Sequence, residues 1–167
     1  MPFRSPKPPV DPSSEAAVRA VALRLLTVRP RGSEDLARTL ERRGFERRAI
    51  RAAIERLVRE GWLDDLAAAR SLVRARGSRY GKARISRELS SLGFSKETAA
   101  AALDDAGEAE GKALARAFEA AWKKTAGLPL PTRRARVRGT LGRRGFAAEA
   151  ISAMMRGSHD DEDVDIG

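Results

Sequence analysis

The chain has 167 residues, of which 42% are hydrophobic and 5% aromatic, and it contains no cysteine. A chain of this size can bury a folded core, while the lack of cysteine excludes a disulfide framework and a thiolate metal site. The formal net charge is +10, yet residues 157–167 hold five acids without lysine or arginine, so residues 1–156 carry about +15.

The residue types predict a helical fold, and they predict that the protein works in a reducing compartment. Alanine, arginine, leucine and glutamate are abundant, which favours helices over sheets. The lack of cysteine suits the cytoplasm, where we expect the protein, and we expect no metal and no other cofactor. A basic body predicts contact with a polyanion or an acidic protein surface, although an arginine-rich surface that is merely soluble stays an alternative.

Both ends of the chain are predicted to be disordered. Residues 1–13 are rich in proline and lack the apolar stretch of a signal peptide or membrane anchor, so we expect a disordered arm. Residues 157–167 form an acidic tail that contains the only histidine, His159. We expect that histidine to be solvated rather than catalytic.

Residues 14–60 predict a first group of three helices. The apolar stretch 14–28 forms the first helix, capped by Ser13 or Ser14. Ser33 is expected to cap the second helix, which ends at Gly44. The third helix runs from Arg47 to Glu60 and carries an apolar stripe of Ala49, Ile50, Ala53, Ile54, Leu57 and Val58.

The segment LERRGF at 40–45 predicts how the second helix ends. If Gly44 takes a left-handed backbone just past the helix, Leu40 and Phe45 are the side chains that meet in a Schellman cap. Glycine is favoured because a β-carbon costs roughly 1 to 2 kcal/mol in that conformation. The segment therefore predicts a helix stop with a hydrophobic contact.

Residues 61–106 predict a second group. Gly61 is expected to stop the preceding helix with Trp62 packed on Leu57, and Asp64 to cap a helix through Arg74. The polar loop RGSRYGKAR follows, then a helix to Leu92, the stop at Gly93 and a helix capped by Ser95. That last helix carries Ala99, Ala102 and Leu103 on its apolar face.

Residues 107–156 predict a third group. A helix with Leu114, Phe118 and Trp122 is followed by a break at LPLP, a basic helix from Thr132 to Arg144 and a short helix to Met155. The glycine and phenylalanine of LERRGF recur in LSSLGF at 89–94 and LGRRGF at 141–146, at intervals of 49 and 52 residues. Such a period predicts an all-α fold of three tandem three-helix repeats that stack into an elongated, curved array.

Two sets of residues follow from these repeats. The structural motif comprises Leu40, Gly44, Phe45, Gly61, Trp62, Asp64, Asp65, Leu89, Gly93, Phe94, Leu141, Gly145 and Phe146. The candidate binding residues are basic and cluster around the turns: Arg42, Arg43, Arg47, Arg48, Arg74, Arg76, Arg79, Lys82, Arg84, Arg133, Arg134, Arg136, Arg138, Arg143 and Arg144. They are expected to face phosphates or acidic protein patches, against the alternative of a solvated helix face.

The run RPRGSEDLARTLERRGFERRAIRAAIERLVREGWLDD, with GKARISRELSSLGF and LGRRGF after it, resembles the RecX family of regulators of the RecA recombinase. The resemblance covers residues 15–156. It implies tandem three-helix repeats that bind in the groove of the RecA filament on single-stranded DNA and restrain strand exchange and ATP hydrolysis. The implied partners are the RecA filament and single-stranded DNA, with double-stranded DNA as a second candidate and no membrane, and we expect a monomer.

The alternative functions are an enzyme, a helix-turn-helix protein that reads DNA directly, and a helical adaptor that binds only proteins and has no affinity for DNA. No combination of nucleophile, base and orienting residue and no Walker phosphate loop is recognisable, so an enzyme is not expected. The first group of helices also resembles a helix-turn-helix module, which would read DNA directly. Three copies at a period of about 50 residues favour the repeat array over that alternative.

Overall fold

The computed structural model describes residues 11–104 and 106–157, and these form helices joined by short turns. The predicted all-α fold is confirmed over this part of the chain. Most of the predicted arm and all but one residue of the predicted tail lie outside it. The helices are α1 (Glu15–Val28), α2 (Ser33–Arg42), α3 (Arg47–Arg59), α4 (Asp65–Gly77), α5 (Lys82–Ser91), α6 (Lys96–Asp104), α7 (Gly107–Lys124), α8 (Leu130–Arg143) and α9 (Ala148–Gly157).

Contacts between residues divide the chain into two compact units. Unit 1 groups Met1–Ala69 with Leu89–Ala99, and unit 2 groups Arg70–Glu88 with Ala100–Gly167. Helices α4, α5 and α6 contribute to both units, so the units differ from the repeats proposed at 14–60, 61–106 and 107–156. We refer below to α1–α3, α4–α6 and α7–α9 as the first, second and third triplets.

The core of unit 1 is built by the first triplet. Helix α1 packs against α3 and α2. Val18 and Ala22 of α1, Leu36 and Leu40 of α2, and Leu57 of α3 have no solvent exposure. The apolar positions recur at helical spacing, so one stripe of each helix is removed from water, which is the main favourable contribution to folding.

The core of unit 2 is centred on the third triplet. Helix α8 packs against both α7 and α9, which also contact each other. Its Val137 and Leu141 are fully buried beside Ile151 of α9, and Phe118 of α7 stacks on Trp122 with ring centroids 5.4 Å apart. Phe146 adds a third aromatic ring to this core, whose other buried side chains are aliphatic or methionine.

The helix stops predicted from the Gly-Phe segments are confirmed. Gly44, Gly93 and Gly145 have φ values of 90°, 78° and 85°. In each case the phenylalanine amide donates to the carbonyl of the leucine five residues earlier, over 3.2 to 3.3 Å. Leu40, Phe45, Leu89, Phe94, Leu141 and Phe146 are all buried. We call residues 44–45, 93–94 and 145–146 the Gly-Phe turns.

The Gly61 stop is confirmed, but the packing of its neighbour was predicted wrongly. Gly61 has φ 75°, and the Trp62 amide donates to the Leu57 carbonyl as a Schellman cap requires. However, the Trp62 side chain is 63% exposed, and Leu63, whose amide donates to the same carbonyl, enters the core instead. Val58, expected on the apolar stripe, is also exposed.

Three predicted helix caps are confirmed, and two predicted helix starts are wrong. Ser14 caps α1, Asp64 caps α4 and Ser95 caps α6, as expected. Ser33 does not cap α2: Gly32 holds the cap position and Ser33 is the first helical residue. Helix α8 begins inside LPLP because proline is tolerated in a first helical turn, where its missing N–H has no partner in any case.

Among the described helices, none combines the length and the apolarity needed to cross a lipid bilayer.

Candidate functional site

The Gly-Phe turn of α5 is covered by the start of α2, within unit 1. The Gly32 amide donates to the Leu92 carbonyl over 2.8 Å. A β-carbon on Gly32 would overlap the Gly93 carbonyl group, and one on Gly93 would overlap the backbone and side chain of Asp35. Two backbones therefore meet through a pair of glycines, the only residue type that allows this approach.

The same arrangement recurs in unit 2. The Gly81 amide donates to the Arg144 carbonyl over 2.9 Å, so the start of α5 covers the Gly-Phe turn of α8. A β-carbon on Gly81 would overlap the Gly145 carbonyl group, and one on Gly145 would overlap Arg84. The Gly-Phe turn is thus a docking site for the preceding triplet as well as a helix stop.

Carboxylates from the following triplet complete these junctions. Asp65, at the start of α4, accepts from the Ser33 amide at 3.0 Å and from its hydroxyl at 2.7 Å. Glu110 of α7 accepts from the Lys82 amide at 2.7 Å. Each carboxylate lies at a helix N-terminus, where negative charge is favourable. Asp65 belongs to the predicted structural motif, but its capping role is not indicated by the sequence pattern, and Glu110, Gly32 and Gly81 are not among the predicted residues.

A sequence signal for these junctions exists. Gly32 and Gly81 each lie twelve residues before the Gly-Phe glycine of their own triplet, and each is followed directly by the first residue of the second helix. Nothing in local propensity pairs Gly32 with Gly93, because the contact joins two triplets.

The side chains beside the two junctions differ although their positions correspond. Buried Arg31 donates to Asp35 over 3.1 Å and to Thr39 over 3.3 Å. Burial, with Arg29 nearby, lowers the pKa of Arg31. At the corresponding positions of the second triplet, Arg84 stacks on the Tyr80 ring at 4.0 Å. One junction thus uses an ion pair and the other a cation-π contact.

Four of the predicted binding arginines surround the Gly-Phe turn of α2 in unit 1. Arg42, Arg47 and Arg48 are exposed, and Arg43 is half-buried. Arg47 pairs with Glu41 at 3.1 Å, in a contact at the surface where such pairs contribute little. No carboxylate of the described chain pairs with Arg43 or Arg48.

Unit 2 brings two of the predicted basic clusters together. The Gly81–Arg144 hydrogen bond sets the loop before α5 beside the end of α8, and the Arg84 guanidinium reaches the Arg143 carbonyl at 3.5 Å. We define the unit 2 basic surface as the side chains that adjoin this junction, namely Arg79, Lys82, Arg84, Arg143 and Arg144. In the described chain, none of these five side chains forms an ion pair.

Other predicted binding arginines have structural partners. Arg133 lies over the Trp122 ring at 3.7 Å and donates to the Trp122 carbonyl, while Arg76 pairs with Glu88 at 3.0 Å. Arg134 is half-buried. By contrast, Arg136 and Arg138 are exposed on α8 and form no ion pair within the described chain.

Arg74 lines a cleft within unit 2 of about 470 Å³. Val73, Ala102 and Ala109 line its apolar part, while Arg70 and Lys112 add charge. In the described residues, no group of three histidine, cysteine, aspartate or glutamate side chains could hold a metal ion.

Family models match two parts of this chain. The model described as the first three-helix domain of RecX matches residues 19–57, and the second three-helix domain matches residues 64–103. The first match lies within α1–α3 and the second corresponds to α4–α6.

Relatives and solved structures agree with these matches. A regulatory protein RecX of Thermobifida fusca is 33% identical over 154 residues, covering 90% of this chain and 83% of the relative. One from Pseudomonas fluorescens is 37% identical over 150 residues, covering 87% and 94%. The crystal structure of RecX from Lactobacillus salivarius superposes with a TM-score of 0.76 at 18% identity, covering 86% and 95%. The all-helical fold and the identity over most of both chains show that this chain belongs to the RecX family.

Proposed function

We propose that this protein regulates the RecA recombinase by binding to RecA filaments on single-stranded DNA, where it restrains strand exchange and ATP hydrolysis. Relatives named regulatory protein RecX, at 33% to 37% identity, support a regulatory role. The RecA filament is the partner that the family name implies, and the cytoplasm is where we expect the two to meet.

One observation carries the binding part of the proposal. The unit 2 basic surface presents five cationic side chains that no carboxylate of the described chain neutralises. Like charges held together by a rigid glycine junction repel one another, and a polyanion or an acidic protein face relieves that repulsion. A merely solvated surface does not require such groups to converge from two separate triplets.

Filament binding is tested by sedimenting RecA assembled on single-stranded DNA with the purified protein. We expect the protein to enter the pellet only when filaments are present and to lower the steady-state rate of ATP hydrolysis by RecA. If saturating protein leaves the rate of ATP hydrolysis by RecA unchanged, the proposal is wrong.

The runner-up is a protein that reads duplex DNA through α2 and α3. Those helices are joined by a four-residue turn, and the first turns of α3 expose Arg47, Arg48 and Arg51, where a recognition helix contacts bases. This function predicts sequence-selective binding to duplex DNA in the absence of RecA. Selection from a random duplex library separates the two functions, since a filament regulator yields no consensus.

A further inference from the structure

The three Gly-Phe turns have the same backbone but different surroundings. Gly93 and Gly145 are buried, because the starts of α2 and α5 cover them. Gly44 is exposed, although its φ of 90° and its Schellman hydrogen bonds match the other two. In the described chain, no helix start donates a glycine amide to this turn as α2 and α5 do to the other two. We call residues 43–46 the open turn.

The covered turns define what a partner of the open turn must supply. Each covering element is the amino-terminal end of a helix, begins with glycine, and donates its glycine amide to the carbonyl of the residue just before the turn. At the open turn, the corresponding carbonyls of Arg43 and Gly44 accept no hydrogen bond from the described chain. A helix N-terminus also carries partial positive charge, which complements the carbonyls at the end of α2.

A second copy of this chain cannot supply that element through its third triplet. The residue twelve positions before Gly145, which corresponds to Gly32 and Gly81, is Arg133. It lies inside α8, three residues after the start of the helix, and stacks on Trp122. A large side chain thus replaces the glycine, so the third triplet lacks the close-approach glycine that the covering elements use.

The charge around the open turn distinguishes the two remaining candidates for its partner, the chain's own arm and an acidic protein. The chain's own amino-terminal arm ends at the open turn, because the Glu46 amide donates to the Pro12 carbonyl over 2.9 Å. Residues 1–10, however, contain Arg4 and Lys7 and no acid, whereas Arg42, Arg43, Arg47 and Arg48 surround the turn. Like charges disfavour the arm, and an acidic partner is favoured.

We propose that the open turn binds RecA by accepting the amino-terminal end of a RecA helix that starts with glycine and carries a carboxylate in its first turn. The proposed contact is patterned on the internal junction of unit 1. There Gly32 meets Gly93, and Asp35 lies across the turn. The inference rests on the proposed function, since it names the surface through which that function is exerted.

The experiment fills the open turn without straining the backbone. Asparagine tolerates the left-handed conformation, so Gly44→Asn keeps the helix stop but places a side chain where the partner would dock. The matched control is Gly61→Asn, since Gly61 has φ 75° and no atom lies within 4 Å of its added β-carbon. Full-length proteins are titrated onto fluorescent RecA filaments on single-stranded DNA. We expect Gly44→Asn to weaken binding at least about tenfold, while Gly61→Asn binds like the wild type.

A charge-reversal pair tests the acidic character of the partner on the same helix. Arg48→Glu, beside the open turn, should weaken binding about tenfold, whereas Arg59→Glu, at the other end of α3, should not. Melting temperatures of all variants identify any loss of binding that comes from unfolding. If both members of a pair lose binding and stability together, the result counts against the inference.

The possible failures are distinguishable. Wild-type protein that does not bind the filaments overturns the proposed function and this inference with it. Wild-type binding that Gly44→Asn leaves unchanged overturns the inference alone. A protein lacking residues 1–10 that binds several-fold tighter, with no further effect of Gly44→Asn, would assign the open turn to the arm and also overturn the inference.

Discussion

Substituting alanine for glycine adds the same methyl group at each of the three Gly-Phe turns, but we expect the effect on stability to differ between them. At Gly44, which is exposed and has φ 90°, we expect it to add mainly the cost of a left-handed backbone, about 1 kcal/mol. At Gly93 and Gly145 it also overlaps Asp35 and Arg84 across a junction. We therefore expect Gly93→Ala and Gly145→Ala to lower the free energy of unfolding by about 2 to 4 kcal/mol, against about 1 kcal/mol for Gly44→Ala. Urea titrations followed by circular dichroism measure these differences.

Gly61→Ala is the control for that series, because Gly61 has φ 75° and open space around it. Its loss should equal that of Gly44→Ala. Equal losses at all four positions would contradict the close approach of the backbones at the two covered turns.

An ion-pair cluster in the first triplet predicts sensitivity to acid. Hydrogen bonds from Arg56 and Arg19 lower the pKa of Glu60 from its ordinary value of 4.5. Because the folded-state pKa lies below the unfolded one, the stabilisation is fully present above about pH 4.5 and is lost as the pH falls through the folded value. Glu60→Gln should therefore lower the melting temperature at neutral pH, with the difference from wild type shrinking in acid.

Melting temperatures measured from about pH 6 to about pH 3 check this expectation. Glu55→Gln, at an exposed position of α3 with no ion pair in the described chain, should leave the profile close to that of the wild type. The Glu60 effect should also shrink in high salt, since surface charges are screened. A constant difference at every pH would show that Glu60 acts through packing alone.

At this scale the sequence could predict backbone better than side-chain position. The spacing of Gly61 after Leu57 predicted the hydrogen bonds of a Schellman cap, and they are present. The same spacing could not decide between Trp62 and Leu63 for the core, because both amides donate to the Leu57 carbonyl. Packing resolved this in favour of the smaller leucine, which is 5% exposed.

Among the helices, the carboxylate that caps α2 from another triplet is expected to couple two elements. Asp65→Ala leaves the Ser33 amide and hydroxyl without their acceptor, which should cost about 1 to 2 kcal/mol of stability. Ser33→Ala removes part of the same interaction. A double-mutant cycle on the two residues should therefore give a coupling energy above about 0.5 kcal/mol.

Asp64 supplies the comparison, since it caps only its own helix α4. The cycle that joins Asp64→Ala with Ser33→Ala should be additive within about 0.5 kcal/mol. Additivity in the Asp65 cycle as well would mean that the capping contact contributes nothing to the joining of the two triplets.

Helix positions could be predicted because apolar periodicity and stop residues are local signals. The bounds of α1 and α3 differ from the predicted ones by no more than a residue. The junctions could not be predicted, since Gly32 and Gly93 are far apart in the chain and each reads locally as a turn glycine. The convergence of Arg84 with Arg143 was hidden for the same reason.

At the scale of the whole chain, we expect the acidic tail to compete with DNA or RecA filaments for the basic body. Residues 157–167 carry five acids, and the body carries about +15. If the tail contacts the basic body, deleting those residues should tighten binding to DNA or RecA filaments at low salt, and the effect should fade as salt screens it. A variant with the acids replaced by asparagine and glutamine, at unchanged length, should behave like the deletion. Equal affinities across the salt series would show that the tail does not compete.

The unit 2 basic surface predicts how binding depends on salt. If about four of its cations contact phosphates of single-stranded DNA, log affinity should fall against log salt with a slope of roughly −3. Reversing Arg143 and Arg144 to glutamate should flatten that slope, weaken filament binding and relieve the inhibition of RecA ATP hydrolysis. Stability should change by no more than about 0.5 kcal/mol, since Arg143 is exposed and neither side chain forms an ion pair in the described chain.

The control for this reversal changes the same net charge elsewhere. Lys123 and Lys124 are adjacent, exposed and in the last turn of α7, as Arg143 is in the last turn of α8. Reversing both lysines alters the overall field of the protein without touching the unit 2 basic surface. Direct contacts at that surface predict a larger loss of binding and a flatter salt slope for the arginine pair. Equal losses for both pairs would mean that only net charge matters, because long-range attraction does not depend on which cations are reversed.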